Sequence, residues 1–168
     1  MTDNDEILDI VDEYDIIIGQ KKRSQVYQEG TVNFRVVNAF LINSLGEIWL
    51  PRRTAHKRIF PLCLDMSMGG HLEMGETYED ALKRELKEEL NIELNQVNYR
   101  LLGYLTPYKH HVSAFMKVYE ISSDTTPTYN RDDFIESFWL TPQAAFDKID
   151  NGELAKSDLP KLISCFYL

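Results

Sequence analysis

Three glutamates, Glu85, Glu88 and Glu89, stand at i, i+3 and i+4. On a helix, at about 100° per residue, they share one sector of the surface. Like charges at this spacing oppose the helix by roughly 0.2–0.5 kcal/mol per pair. One reading is a solvated acidic face. The other is a hard cation, because converging carboxylates supply the oxygen ligands that Mg²⁺ or Mn²⁺ prefers, and such ions are commonly shared with substrate phosphates. Immediately upstream, Met68-Gly69-Gly70-His71 leads through Gly75-Glu76 into the same helix. Paired glycines let a ligand approach the backbone closely.

The run from Gly70 reads GHLEMGETYEDALKRELKEELNI. It resembles the Nudix box, G-x5-E-x7-R-E-U-x-E-E-x-G-U with U aliphatic. Eight of the nine specified positions match, and the ninth is Asn91 in place of glycine. Asparagine is the side chain that best tolerates the left-handed conformation of a helix C-cap. Leu8-Asp9-Ile10-Val11-Asp12-Glu13 and Leu50-Pro51-Arg52-Arg53-Thr54 resemble the branch of the family that includes isopentenyl-diphosphate isomerase and its hydrolase relatives.

The resemblance implies an αβα sandwich with a mixed sheet, a loop–helix–loop metal site, and metal-dependent hydrolysis of a phosphoanhydride in a nucleoside diphosphate linked to a further group. Glu85, Glu88, Glu89 and the Gly69 carbonyl would be the metal ligands, with Mg²⁺ or Mn²⁺ as cofactor. Glu85, Arg84, Glu76 and Glu136 form the expected catalytic set. Glu85 or a carboxylate outside the box would take a proton from water, the Arg84–Glu76 ion pair would orient the acids, and Glu136 is a second base or ligand candidate. Two other readings compete. An isopentenyl-diphosphate-type isomerase carries a cysteine where Gly69 stands, and its box is degenerate. A non-catalytic nucleotide-binding module has no need of every charged box residue, and all are present here.

The residues around the box supply further candidates. Arg35, Arg52 and Arg53 belong to a basic segment, residues 16–58, that could bind phosphates. Adjacent strand residues point to opposite faces, so at most one of Arg52 and Arg53 faces a site directly. His71, after the double glycine, is a phosphate-contact candidate. Tyr108, Phe60 and Trp49 could stack on a base, although core packing is the commoner fate of aromatics. His110 and His111 are placed at a strand entry. Cys63 reads as a buried thiol.

The elements that must position these groups follow from pattern. Leu82, Leu86 and Leu90 recur at i, i+4, i+8, with Thr77 and Asp80 as a capping box, predicting a helix over 77–90. Hairpins are expected at 7–18 and at 34–51, strands at 99–105, 111–121 and 135–140, and a long loop at 53–69 with room for one short strand. Thr141-Pro142 starts a second helix that Gly152 ends. A last helix runs from Ser157 towards Cys165. The α/β class follows, as one Nudix-type domain over 1–168 with residues 1–30 an N-terminal β-hairpin extension.

The chain has 168 residues and a formal charge of −9. That charge disfavours nucleic-acid polymers and anionic membranes as partners. Two cysteines exclude a disulfide scaffold and, with no apolar run of spanning length, fit a soluble cytoplasmic protein. A small-molecule nucleotide is the expected partner, free di- and triphosphates leading, and homo-oligomerisation stays open. The negative charge is uneven: residues 1–15 hold seven acids and no base, and residues 73–93 hold eight acids and three bases.

Overall fold

The computed structural model describes residues 5–168. The start of the acidic stretch, residues 1–4, lies outside the described residues.

The central strand is β3 (Arg35–Ile42), in the second hairpin read from the sequence. Its side chains alternate as period two requires. Val37, Ala39 and Leu41 enter one core, and Phe40 enters another on the opposite face. Along one edge, β7 (Phe115–Ser122) runs parallel to the whole of β3, and β6 (Tyr99–Leu105) is antiparallel to β7. The other edge forks. β3 meets β4 (Ile48–Arg53) only at Ile42↔Ile48, and β4 then pairs with β8 (Phe134–Leu140). β5 (Met68–His71), the short strand at the end of the long loop, takes the vacated place beside Val36–Ala39.

Helix α2 (Tyr78–Leu90) covers one face through Leu82, Leu86 and Leu90. Helices α4 (Pro142–Asp150) and α5 (Asp158–Tyr167) cover the other through Ala145, Leu159, Leu162 and Ile163. The result is the expected αβα sandwich with a mixed sheet. Both ends of α2 follow from local chemistry. Thr77 Oγ1 accepts from the Asp80 amide at 3.1 Å, and Asp80 Oδ2 accepts from the Thr77 amide at 3.0 Å. Asn91 ends the helix at φ 54°, where the box formula has glycine. The Thr141 hydroxyl caps α4 in the same way.

The N-terminal hairpin is β1 (Ile7–Val11) and β2 (Ile17–Lys22), with Asp12 Oδ1 accepting from the Tyr14 and Ile16 amides in the turn. It continues into α1 (Arg23–Glu29), which the sequence reading did not anticipate. Only Val26 of that helix is buried, so the segment carries no apolar period. Leu8, Ile10 and Val26 pack with Phe34 and Ala114 in a third cluster, which joins the unit to the sandwich.

One strand boundary is corrected. Residues 111–114 are not strand: α3 (Pro107–His110) ends there, with His111 its left-handed cap at φ 56°. The signature was Thr106-Pro107, the same cap and first-turn pair that opens α4. His110 and His111 therefore belong to a helix end, not a strand entry. Among the described residues, no helix is long and apolar enough to cross a membrane, and Cys63 and Cys165 are free.

Candidate active site

Glu85 and Glu89 both face a cavity of about 380 Å³ that also reaches Gly69, Gly70 and His71 of β5. It is lined from both arms of the forked sheet edge, β5 on one side and Arg53 at the end of β4 on the other. Burial pushes Glu85 up to about 7 despite Arg84 beside it. Burial, then the charge of Glu85, pushes Glu89 well above the ordinary carboxylate range. The Gly69 amide donates to Glu89 Oε1 at 3.2 Å. Gly70 is required sterically: a Cβ there would overlap the Glu85 carboxylate. The glycine lets helix α2 press its acid against the strand backbone.

Arg84 organises this end of the cavity. Its Nε and Nη2 fork onto the Glu76 carboxylate at 2.9 and 2.8 Å, Nη1 donates to Glu85 at 2.8 Å, and Nη2 also donates to the His71 carbonyl at 3.0 Å. Glu76 in turn accepts from the Glu73 amide at 2.7 Å. The planar guanidinium thus ties box loop, strand and helix together with charge-assisted bonds. Glu88 lies half-exposed, 3.5 Å from the same guanidinium. With Glu85 held by Arg84, no three acidic, histidine or cysteine side chains converge on one point among the described residues. The donor set nonetheless fits a hard divalent cation. Glu85 and Glu89 are largely enclosed carboxylates, the charge of Glu85 raises the proton affinity of Glu89, and all their ligand atoms are oxygens.

Of the phosphate candidates, Arg53 lines the cavity, held by Asp65 at 2.8 Å. Arg52, on the opposite face, is engaged by Glu136 at 2.6 Å and by Glu153. That pairing also occupies Glu136, whose side chain is half-exposed and is not among the cavity-lining residues. Arg35 is bound at the hairpin tip by the Asp15 carboxylate and carbonyl. The structure therefore does not bring Arg35, Arg52 or Glu136 to the cavity. His71 lines it, with Nε2 2.6 Å from the Tyr27 hydroxyl. Burial, reinforced by Arg23, Lys156 and Arg84, pushes this imidazole down to about 3, so it is neutral near pH 7 and is no cationic phosphate anchor.

Among the aromatics, Trp49 is core, and the Tyr108 hydroxyl is bonded to Asn33. Phe60 lines the cavity at φ 52°. A bulky residue rarely adopts that backbone, and such strain tends to gather at ligand sites. Tyr27 and Phe34 line the cavity too, as do the cations Arg23, Lys57 and Lys156. Lys57 and Arg23 belong to the basic segment already singled out. Nothing in the sequence marked Lys156, Tyr27 or Phe34.

Box, caps, sandwich and forked edge together define one class of protein. Residues 32–160 match the NUDIX domain model, and the chain belongs to the Nudix family. It is 68% identical to a Nudix hydrolase of Nostoc sp. over 162 residues, 96% of each chain. It is 44% identical to a Nudix hydrolase of Deinococcus radiodurans, covering 98% of this chain and 95% of the relative. The crystal structure of DR0079 from Deinococcus radiodurans superimposes with a TM-score of 0.94 at 44% identity, over 97% of this chain and all of that one. Similarity to an isopentenyl-diphosphate Delta-isomerase of Mycolicibacterium vanbaalenii, 32% identical over 91 residues, spans 54% of this chain and 50% of the isomerase. The branch resemblance agrees with that finding. As a Nudix hydrolase, the chain belongs to enzymes acting on phosphoanhydride bonds.

Proposed function

We propose that this protein is a metal-dependent pyrophosphohydrolase of nucleoside di- or triphosphates. The observation that carries this reading is the Glu85–Glu89 pair in one cavity with the cations Arg53, Lys57 and Lys156 and the ring of Phe60. A volume of about 380 Å³ lies low in the usual range for ligand pockets. It favours one nucleotide over a dinucleotide or a larger conjugate.

Glu85, Glu89 and the Gly69 carbonyl would hold Mg²⁺ or Mn²⁺, and Glu88, half-exposed and not among the cavity-lining residues, would join them only by turning inward. Such an ion, when bound, neutralises diphosphate charge and lowers the pKa of a water. The chain's own residues do the rest. Arg53, Lys57 and Lys156 bind phosphate oxygens. Phe60 on one loop, with Tyr27 from the N-terminal side, offers rings for the base. Arg84 and Glu76 hold Glu85 in place. Glu85 accepts a proton from the attacking water.

The test is phosphate release from a panel of nucleoside diphosphates, triphosphates, sugar nucleotides and dinucleotides. The reading expects metal-dependent release, strongest from the di- and triphosphates. Allylic product formed from isopentenyl diphosphate, with no release from any nucleotide, would replace it with the isomerase reading.

A further inference from the structure

The family domain begins at residue 32, yet one wall of the cavity is built before it, from Glu6, Arg23, Val26, Tyr27, Gly30 and Thr31. This wall is firmly attached. The Ile7 carbonyl accepts from the Met74 amide at 2.8 Å, and Asp9 Oδ2 accepts from the Gly75 amide at 2.9 Å, so β1 holds the box loop directly. The Asp15 carboxylate accepts from the Tyr78 hydroxyl at 3.0 Å, the Tyr104 hydroxyl at 2.8 Å, and Arg35. The Arg23 amide donates to the Glu6 carbonyl at 2.8 Å. The Arg23 side chain therefore starts from a fixed point on a wall tied to the catalytic helix.

Four cations line the cavity, and their satisfaction differs. Arg53 is paired with Asp65 at 2.8 Å, Lys57 with Asp133 at 2.6 Å, and Lys156 lies 3.6 Å from Asp65. Arg23 rests its guanidinium carbon 5.4 Å from the Tyr27 ring centroid and interacts with the Tyr27 hydroxyl and, by charge, with Glu6. Its Nε is buried and has no hydrogen-bond partner among the described residues. A charged donor left unmet in a buried place is costly, and guanidinium geometry matches phosphate oxygens.

We infer that Arg23, outside the family domain, is a substrate-binding residue that donates to a phosphate oxygen of the nucleotide, and that the hairpin–helix unit holding it completes the substrate site. The inference rests on the nucleotide reading of the cavity. It also sets a sign for its neighbour. Glu6 Oε2, buried without a hydrogen-bond partner among the described residues and 3.6 Å from His71 Nδ1, opposes an anion on this wall.

The test is calorimetric titration of the Mg²⁺-loaded protein with an α,β-methylene nucleoside diphosphate, which resists cleavage at that bridge. Hydrolysis of the nucleotide panel is scored on the same preparations, and thermal melts check folding. Arg23→Ala is expected to weaken binding at least 10-fold and raise KM with little change in kcat. Arg23→Lys should recover part of the loss, and Glu6→Gln should bind as tightly as the wild type or more so. Arg23→Ala protein that binds and hydrolyses like an active wild type overturns the role of Arg23 alone. Wild-type protein that neither binds nor hydrolyses overturns the functional reading and this inference with it.

Discussion

At the scale of single residues, the site depends on a close approach and on two reluctant charges. Gly70→Ala would place a Cβ against the Glu85 carboxylate. The account expects it to abolish hydrolysis while circular dichroism stays native, because the displaced group is one side chain on an intact helix. Glu85 also gives a pH prediction for metal-free protein. Its folded pKa, about 7, lies above the ordinary 4.5, so between those values the folded state binds more protons than the unfolded one. Stability falls as pH rises through that window, by roughly 3 kcal/mol for this group. Denaturant titrations in chelator at pH 5 and pH 8 should show a smaller fall for Glu85→Gln than for wild type. Equal falls would contradict the buried-acid account. The box residues were legible because their spacing alone sets their relation on one helix, including Asn91 in a left-handed cap. Arg35, Arg52 and Glu136 were not, because their partners Asp15 and Glu153 lie far away in the chain. Only tertiary pairing decides whether a basic residue faces a substrate or a carboxylate.

At the scale of elements, the hairpin is held at its tip by one acid. Asp15 takes Arg35, Tyr78 and Tyr104 together, and the Arg35–Asp15 pair is mostly buried. Asp15→Ala leaves that arginine without its counter-charge, a change of about 3 kcal/mol and a Tm lowered by about 6–12 °C. A scanning-calorimetry Tm within a degree of wild type would show that the tip contributes little. The sandwich, α2 with its caps, and α4 were readable from period and capping chemistry. α1 was not, since its single buried residue leaves no pattern, and α3 was hidden because Thr106-Pro107 preceded a run that looked like strand. The fork of β3 between β4 and β5 is a further case. Pattern names strands, but pairing partners depend on the loop between them, and here that loop also delivers Phe60 and Lys57 to the cavity.

At the scale of the molecule, a formal charge of −9 coexists with a cavity that several cations line. Glu85 and Glu89 of the box line the cavity together with Arg23, Arg53, Lys57 and Lys156. An acidic protein can then bind a polyphosphate because part of the opposing charge arrives as a divalent ion. The most direct measurement is phosphate release from nucleoside di- and triphosphates by wild-type protein with Mg²⁺ or Mn²⁺, after complete chelation, and by Glu89→Gln protein with metal restored. The account predicts release in the first case alone, with the variant folded. Release that survives chelation, or that persists undiminished in Glu89→Gln, would contradict it.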